Sequence, residues 1–533
     1  MTVRLKAISP GGGGLLDILG PDGGSPEGLS AELEACFARS REVWLKLAAD
    51  LPADAVNDRG HFGTCAPNVS DFGLLTGWAG LVTELGARDE VYDVHCADPW
   101  LFRHLAGLPG VSAGSPPSLL PVRLKTAVRG WLARGRVAVT MFRNCLAARG
   151  QKPSAGGRWL MVYGHPASTS DGRDGYFGEL MQQQPDLQRI LHVDCAVPRG
   201  RELAADGRTF LLHGYGSPLY ALSLIFREWR LRESSVKGPY EWLVRRALVL
   251  DSGYAGAAMI AWQIHCQRRW LATISPDVVF WPWENHGWER SFCRDLRASG
   301  GTSVGYQHSV VGQQWNLGPG SNPDGAASLP DRIFCNGASG FRQLLEAGHP
   351  EARLVLAGAW RFPKPEPVTW SADAPVFVAA PFDLAVARQM LEACRAVPDR
   401  RFVIRVHPMT PLEFTEEGNI AAATGPLSSQ KSVSAVIYAA TTVGLEAWML
   451  GLPVLRFQPE ARIAIDILPD DASVPVSDHA GLADNLNRVI SAGAVEGRQT
   501  GDIFSPVDRT VWEEYPLSTR DHPVDVPAKE VTV

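Results

Sequence analysis

From about residue 158 to residue 500 the sequence alternates short runs rich in β-branched and aromatic residues with longer helical stretches, and this restricts the fold more than any other feature. Such a series marks parallel strands joined by crossover helices. Strands are expected at residues 159–163, 189–193, 209–212, 278–281, 302–307, 332–335 and 353–356, with helical stretches at 217–231, 240–273, 287–298 and 338–347. Phe362-Pro363-Lys364-Pro365-Glu366-Pro367 then interrupts the pattern as a stiff joint. The alternation restarts with strands at 376–380, 402–406, 435–438 and 454–457 and helices at 384–396, 443–450 and 480–491.

The expected fold class is therefore α/β, with two facing Rossmann-like doubly wound domains, residues 151–365 and 366–515. A chain of 533 residues exceeds the ~250–300 at which one core stops growing. Residues 1–150 read as an N-terminal accessory region, partly helical at 31–51 and 122–148, and residues 516–533 as a polar tail. The glycine run at residues 11–14 lacks the Gly-Lys-Ser/Thr ending of a phosphate loop.

A net charge of −6 argues against a nucleic-acid partner, and the clusters Arg227, Arg230, Arg232 and Arg268-Arg269 read as solvated helix faces. Nine cysteines without a Cys-x-x-Cys pair exclude the common zinc signatures and fit reduced thiols in a cytoplasm. The first 24 residues lack the pattern of a secretory signal, and no run reaches the ~18 apolar residues of a membrane span. Any membrane association is expected to be peripheral, at the inner face.

Ligands of open parallel sheets bind beyond the carboxyl ends of the strands, so residues at strand ends carry the functional reading. In the second half His407-Pro408 ends the run Phe402-Val403-Ile404-Arg405-Val406. Further on, Thr441-Thr442 opens a helix holding Glu446, and Gly451-Leu452-Pro453 closes it. Two hydroxyls at a helix N-terminus suit an anion, naturally a phosphate. The chain has four His-Pro pairs, so the dipeptide alone says little. The signal is its order with the Thr pair and the Gly-Leu-Glu-Ala helix.

This arrangement resembles the donor-nucleotide half of bacterial GT-B-fold transferases that use CMP-activated sugars, the sialyltransferases and Kdo transferases of capsule and lipopolysaccharide assembly. By that resemblance His407, Thr441 and Thr442 bind the CMP phosphate; from their places, His407, with Pro408 after it, is expected to protonate that phosphate as it leaves, and Arg405 and Glu446 to support the nucleotide. A second series, Trp281-Pro282-Trp283-Glu284-Asn285-His286-Gly287, Gly305-Tyr306-Gln307-His308, Asp331-Arg332-Ile333-Phe334-Cys335-Asn336-Gly337 and Ala357-Gly358-Ala359-Trp360-Arg361, resembles surface-carbohydrate biosynthesis transferases across residues 159–454. The chain departs from those families in carrying Ser309 where a glycine is usual after Gln-His, and in having no lysine beside His407.

Glycosyl transfer needs a base for the acceptor hydroxyl. Glu284 and Asp174 are the candidates, with Asp171 beside the latter as turn chemistry. His308, Asn336 and Arg361 are expected to face the cleft. No metal site and no cofactor are expected beyond the nucleotide-sugar donor, and the partners are that donor and a glycan or lipid-linked acceptor, with a polysaccharide-assembly complex behind them. The reading is a cytoplasmic glycosyltransferase moving a CMP-linked ulosonic acid. Its rivals are a CDP-alcohol phosphotransferase of the teichoic-acid type, a nucleotide-sugar epimerase and a catalytically silent assembly factor.

Overall fold

The computed structural model describes residues 3–6, 15–18, 29–50, 71–88, 92–151, 153–227, 237–322, 325–361, 367–408, 410, 412–469, 472–495 and 501–514. The joint at 362–366, the glycine run at 11–14, Arg230, Arg232, Cys65 and the tail at 516–533 lie outside the described residues.

The first part holds β1 (Val3–Lys6), β2 (Leu15–Ile18), α1 (Leu29–Arg39), α2 (Arg41–Asp50), α3 (Phe72–Gly86) and β3 (Asp93–Cys96). It continues with α4 (Pro99–Ala106), β4 (Val111–Ala113) and α5 (Leu120–Ala147). Its strands pair in parallel in the order β2-β3-β1-β4, a small sheet beside the helices read from the sequence.

The next part holds β5 (Arg158–Val162), α6 (Leu180–Gln183), β6 (Gln188–Leu191), α7 (Val197–Leu203), β7 (Thr209–Leu211) and α8 (Pro218–Ser223). Then come α9 (Glu241–Ser252), α10 (Gly256–Ile274), β8 (Val278–Pro282), α11 (Gly287–Ala298), β9 (Thr302–Gln307), β10 (Arg332–Cys335), α12 (Ala338–Glu346) and β11 (Leu354–Leu356). Seven strands form a parallel sheet in the order β11-β10-β9-β8-β5-β6-β7. Every residue of β8 is buried, as a central strand covered on both faces requires.

The remainder holds β12 (Thr369–Trp370), β13 (Val376–Ala379), α13 (Leu384–Arg395), β14 (Phe402–Arg405), β15 (Ile420–Ala422), β16 (Ser432–Val433) and β17 (Val436–Tyr438). It ends with α14 (Thr442–Met449), β18 (Val454–Phe457), β19 (Val476–Ser477), α15 (Leu482–Ala492) and α16 (Arg509–Glu514). Six strands pair in parallel in the order β15-β14-β13-β17-β18-β19, and β12 pairs with β16 apart from them. Both large sheets are doubly wound, and the winding reverses between β5 and β8 in one and between β13 and β17 in the other.

Loops from the two carboxyl edges meet. The Gln313 N–H donates to the Asp466 carbonyl at 3.1 Å, and the Asp466 N–H donates to Gln313 Oε1 at 2.8 Å. The chain then returns to the seven-stranded sheet through α16. Trp512 is fully buried against Phe177, Tyr306 and Phe334, and its Nε1 donates to the Ala357 carbonyl at 2.9 Å.

Two buried arginines dock the first part on the other two. Arg246 of α9 reaches Asp71, before α3, at 2.8 Å and Asp98, the cap of α4, at 2.6 Å. Arg456 at the end of β18 pairs with Glu34 of α1 at 2.8 Å. The single helix expected at 240–273 is two, because residues 252–253 cross α5 where Gly130 allows it. A Cβ on Gly130 would lie 1.9 Å from the Ser252 carbonyl oxygen. Likewise 31–51 divides at Ser40 into α1 and α2, and the helix expected from 217 ends at Ser223 before a 3-10 turn.

Candidate functional site

Five of the thirteen histidines follow the carboxyl ends of strands in the seven-stranded sheet: His165 after β5, His192 after β6, His213 after β7, His286 after β8 and His308 after β9. Glu284 joins them just beyond β8, at the reversal of winding. Its Oε2 lies 2.7 Å from His286 Nε2 and its Oε1 3.4 Å from His308 Nε2. The carboxylate remains 41% exposed, so a substrate can reach it. Partial burial acts to raise its pKa, but the His286 hydrogen bond and the charges of His286, His308 and Arg361 outweigh that and hold it at about 2. Burial lowers His308 to about 4 against the pull of Glu284, leaving a neutral imidazole at pH 7.

The loop presenting Glu284 is fixed from beneath. Glu289 of α11, almost fully buried, accepts from Trp281 Nε1 at 2.8 Å and from the N–H groups of Glu284, Asn285 and His286 at 3.1–3.2 Å. Burial pushes its pKa up to about 7, opposed by His286 and the Trp281 hydrogen bond. Asn285 adopts φ 57° and donates to the Asn316 carbonyl at 2.7 Å and to Asn322 Oδ1 at 2.6 Å, while Asn316 donates to the Glu284 carbonyl at 2.8 Å. A second layer of rings stands beside it. Tyr176 packs edge-on to His308 at 5.0 Å and to His165 at 5.2 Å, with the Arg361 guanidinium 5.2 Å from its ring centre. His192 pairs with Asp194 at 3.2 Å and lies against Tyr163 and Trp288.

Of the sequence-derived candidates, Glu284, His308 and Arg361 come together here. Asp174 does not join them. It is buried, accepts from the N–H groups of Tyr176 at 2.9 Å and Phe177 at 3.3 Å and from Ser168 Oγ at 3.2 Å, and pairs with buried Arg189 at 3.3 Å. The expectation that it activates an acceptor is corrected on this geometry, because its oxygens face inward and shape the loop after β5. Asp171 is exposed and holds its own turn with Thr169. Asn336 is also corrected from a cleft position: it is buried, donating to the Ser309 carbonyl at 2.9 Å, with its N–H on Gln307 Oε1 at 3.3 Å. It ties the ends of β9 and β10.

Sequence reasoning assigned no catalytic role to His286, Tyr176, Glu289 or the His192–Asp194 pair, though His286 stands in the motif that holds Glu284. His192, Asp194 and His286 lie one to four positions past the ends of β6 and β8, a spacing readable in the sequence, whereas Tyr176 and Glu289 lie 14 and 7 positions past β5 and β8 and are brought in by the fold.

At the six-stranded sheet, His407 follows β14 and Thr441-Thr442 begins α14 after β17. The two strands are not neighbours, since β13 stands between β14 and β17. Thr441 is the N-cap, and its Oγ1 is buried without a hydrogen-bond partner. Thr442 is exposed, His407 half-buried with its ring edge-on to Phe382 at 5.7 Å, and Pro408 exposed. Burial lowers the His407 pKa and raises that of Glu446, one turn into α14. Arg405 ends β14, its carbonyl accepting from the Ala380 N–H at 3.0 Å.

Phe37 of α1 and Leu74 of α3 close over the crevice between β13 and β17. With Phe382, Ala440 and Ile463 they leave a cavity of about 60 Å³. A larger cavity, about 510 Å³, lies among the end of α1 and start of α2, residues 311–318, α12 and residues 466–469 and 472–473, lined by Arg41, Gln314, Glu346 and Asp466. None of Glu284, His407 and Thr441 lines it. Among the described residues, no group of three or more His, Cys, Asp or Glu is placed to hold a metal ion.

No protein-family model matches the chain. No curated protein matches it either. Among solved structures it is similar to UDP-GlcNAc 2-epimerase from Methanocaldococcus jannaschii, with 9% identity and a TM-score of 0.39 over 63% of this chain and 92% of that one. It is similar to the calicheamicin glycosyltransferase CalG4, with 12% identity and a TM-score of 0.38 over 63% and 90%. For MurG of Acinetobacter baumannii the values are 11%, 0.32, 63% and 90%. Likeness this distant leaves function to be argued from the side chains.

Proposed function

We propose that the chain is a nucleotide-sugar-dependent glycosyltransferase with its donor at the edge of the six-stranded sheet and its acceptor at the edge of the seven-stranded sheet. The observation that carries this is Glu284: an accessible carboxylate, kept ionised by two imidazoles, at the reversal point of one sheet whose edge loops meet those of another.

On the donor side a phosphate lies over the end of β13. His407 and Thr441 are two strand spacings apart, roughly 10 Å, so they approach that group from either side. The ~60 Å³ crevice is smaller than a nucleotide, so the donor enters from the open side, where Thr442 is exposed. The unpaired Thr441 hydroxyl, the N-terminus of α14 and His407 hold the leaving phosphate, and His407 protonates it. Arg405 and Glu446 flank the nucleotide. The pattern His407-Pro408 with Thr441-Thr442 supports a CMP-linked ulosonic acid as donor and a cell-surface glycan or lipid-linked acceptor.

On the acceptor side the hydroxyl donates to Glu284. A carboxylate with a pKa of about 2 is by itself a weak base. The proton therefore passes by way of Glu284 to the imidazoles beside it, His286 at 2.7 Å and His308 at 3.4 Å.

Thermal unfolding of the full chain with CMP, CDP, UDP or GDP tests the donor side. A ligand at 100 times its Kd stabilises by about 2.7 kcal/mol. CMP is expected to raise Tm most. Protection by UDP alone overturns the CMP assignment, and no protection by any nucleotide overturns the donor site.

A further inference from the structure

Residues 99–170 contain ten Lys and Arg and no Asp or Glu, in a chain of net charge −6. Six of those cations, Arg123, Lys125, Arg129, Arg134, Arg136 and Arg143, lie on α5. This helix has 28 residues, about 42 Å of length. One side of it buries Thr126, Gly130, Val137, Met141 and Cys145. The opposite side carries Leu120, Leu124, Val128, Trp131 and Leu132, each half or more exposed. Steps of three and four residues place them in one stripe.

Exposed Lys125, Arg129 and Arg136 flank that stripe. With Leu124, Val128, Leu132 and Tyr254 they line a shallow groove, and the Arg129 guanidinium lies 4.4 Å from the Tyr254 ring centre. On α8 and the turn after it, packed on the distal half of α5, Leu219 and Phe226 stand 79% and 87% exposed.

Scattered surface leucines are ordinary, but a continuous apolar stripe rimmed by charge of one sign marks a contact surface. A second copy of this chain would set the same cations against each other. A nucleic acid would satisfy the cations and leave the Leu and Trp stripe in water. An anionic bilayer satisfies both, since apolar side chains enter the acyl boundary, Trp131 sits at the interface and Lys and Arg meet the headgroups.

We propose that α5 docks the protein on an anionic lipid surface. The test is flotation of the full chain with phosphatidylcholine vesicles and with vesicles containing phosphatidylglycerol. Binding is expected to be about tenfold or more stronger on the anionic vesicles and to fall at high salt. Leu124→Glu with Trp131→Glu removes it. Lys125→Glu with Arg129→Glu weakens it and flattens the salt dependence. All four positions are exposed, so the melting curves should match the wild type. Absence of flotation, equal flotation on both vesicles, or flotation unchanged in either double variant overturns the proposal. So does a dimer that Trp131→Glu converts to monomer, which would assign the stripe to a second copy. Tight retention on single-stranded nucleic acid by the Leu124→Glu, Trp131→Glu variant would assign the cations elsewhere.

Discussion

The carboxyl edge of the seven-stranded sheet gathers five imidazoles, Glu284, Asp194 and Arg361 beside Tyr163 and Tyr176, while the described edge of the six-stranded sheet carries His407 and His479 past β14 and β19 and the Thr441-Thr442 hydroxyls past β17. The winding is the same in both, so topology supplies the crevice and the residues after each strand supply the chemistry. The two edges also differ in how they are satisfied. Glu284 is held in place before any ligand arrives, through Glu289, Asn285 and Asn316. Thr441 Oγ1 and Tyr438 Oη are buried without partners. A buried orphan of this kind costs about 1–3 kcal/mol, recovered when a ligand bonds to it. One edge is preorganised for proton transfer and the other is left open for an anion.

The sharpest way to break this comparison is a crossed pair of variants at the first edge. Glu284→Gln is expected to lower kcat by about 10²–10⁴ with Tm nearly unchanged, since its carboxylate is partly exposed. Asp174→Ala should do the reverse. It removes one carboxylate from buried Arg189, which keeps Asp206 at 3.2 Å, and lowers stability by about 2–3 kcal/mol with little change in kcat of the folded protein. If Asp174→Ala abolishes turnover in folded protein while Glu284→Gln does not, the assignment at this edge is wrong.

Thr441→Val tests the second edge. It should weaken protection by nucleotide about 10–100-fold, the worth of a hydrogen bond to a charged group, while leaving the free protein as stable or more so because no partner is lost. Unchanged protection would move the phosphate away from α14.

The smallest expected effect is graded with pH. Burial lowers His213 and His308 from 6.5 to about 4, and His104 and His349 likewise. Between pH 6.5 and 4 the unfolded chain therefore binds protons that the folded chain refuses, so stability falls as pH drops through that window. The loss is about 1–2 kcal/mol for each group between pH 7 and 5, read by denaturant unfolding at the two pH values. His308→Asn should shrink that difference. A stability that is flat from pH 7 to 5 would mean these imidazoles are solvated.

The strands at 302–307, 332–335 and 454–457 and the helix at 287–298 fall at the expected bounds, because buried parallel strands and amphipathic helices have periods readable within one window. The small sheet β2-β3-β1-β4 escaped, since its strands are three or four residues long and β2 and β3 lie more than seventy residues apart in sequence. Glu284 was legible as a carboxylate among tryptophans. Its partner His308, 24 residues on, reaches it only because β8 and β9 pair side by side.

By itself the sequence determined the two α/β halves and the order of the strand-end motifs, since alternation and local chemistry are properties of neighbouring residues. Tertiary structure decided what those motifs touch. Asp174 and Glu284 are both carboxylates in polar loops after parallel strands, and apart from His286, two residues from Glu284, their sequence neighbours do not distinguish their fates. Arg189, brought in from β6, turns Asp174 inward, while His286 and His308 leave an exposed face on Glu284. Strand order, set by packing across the whole sheet, places a cation beside one carboxylate and the second imidazole, His308, beside the other.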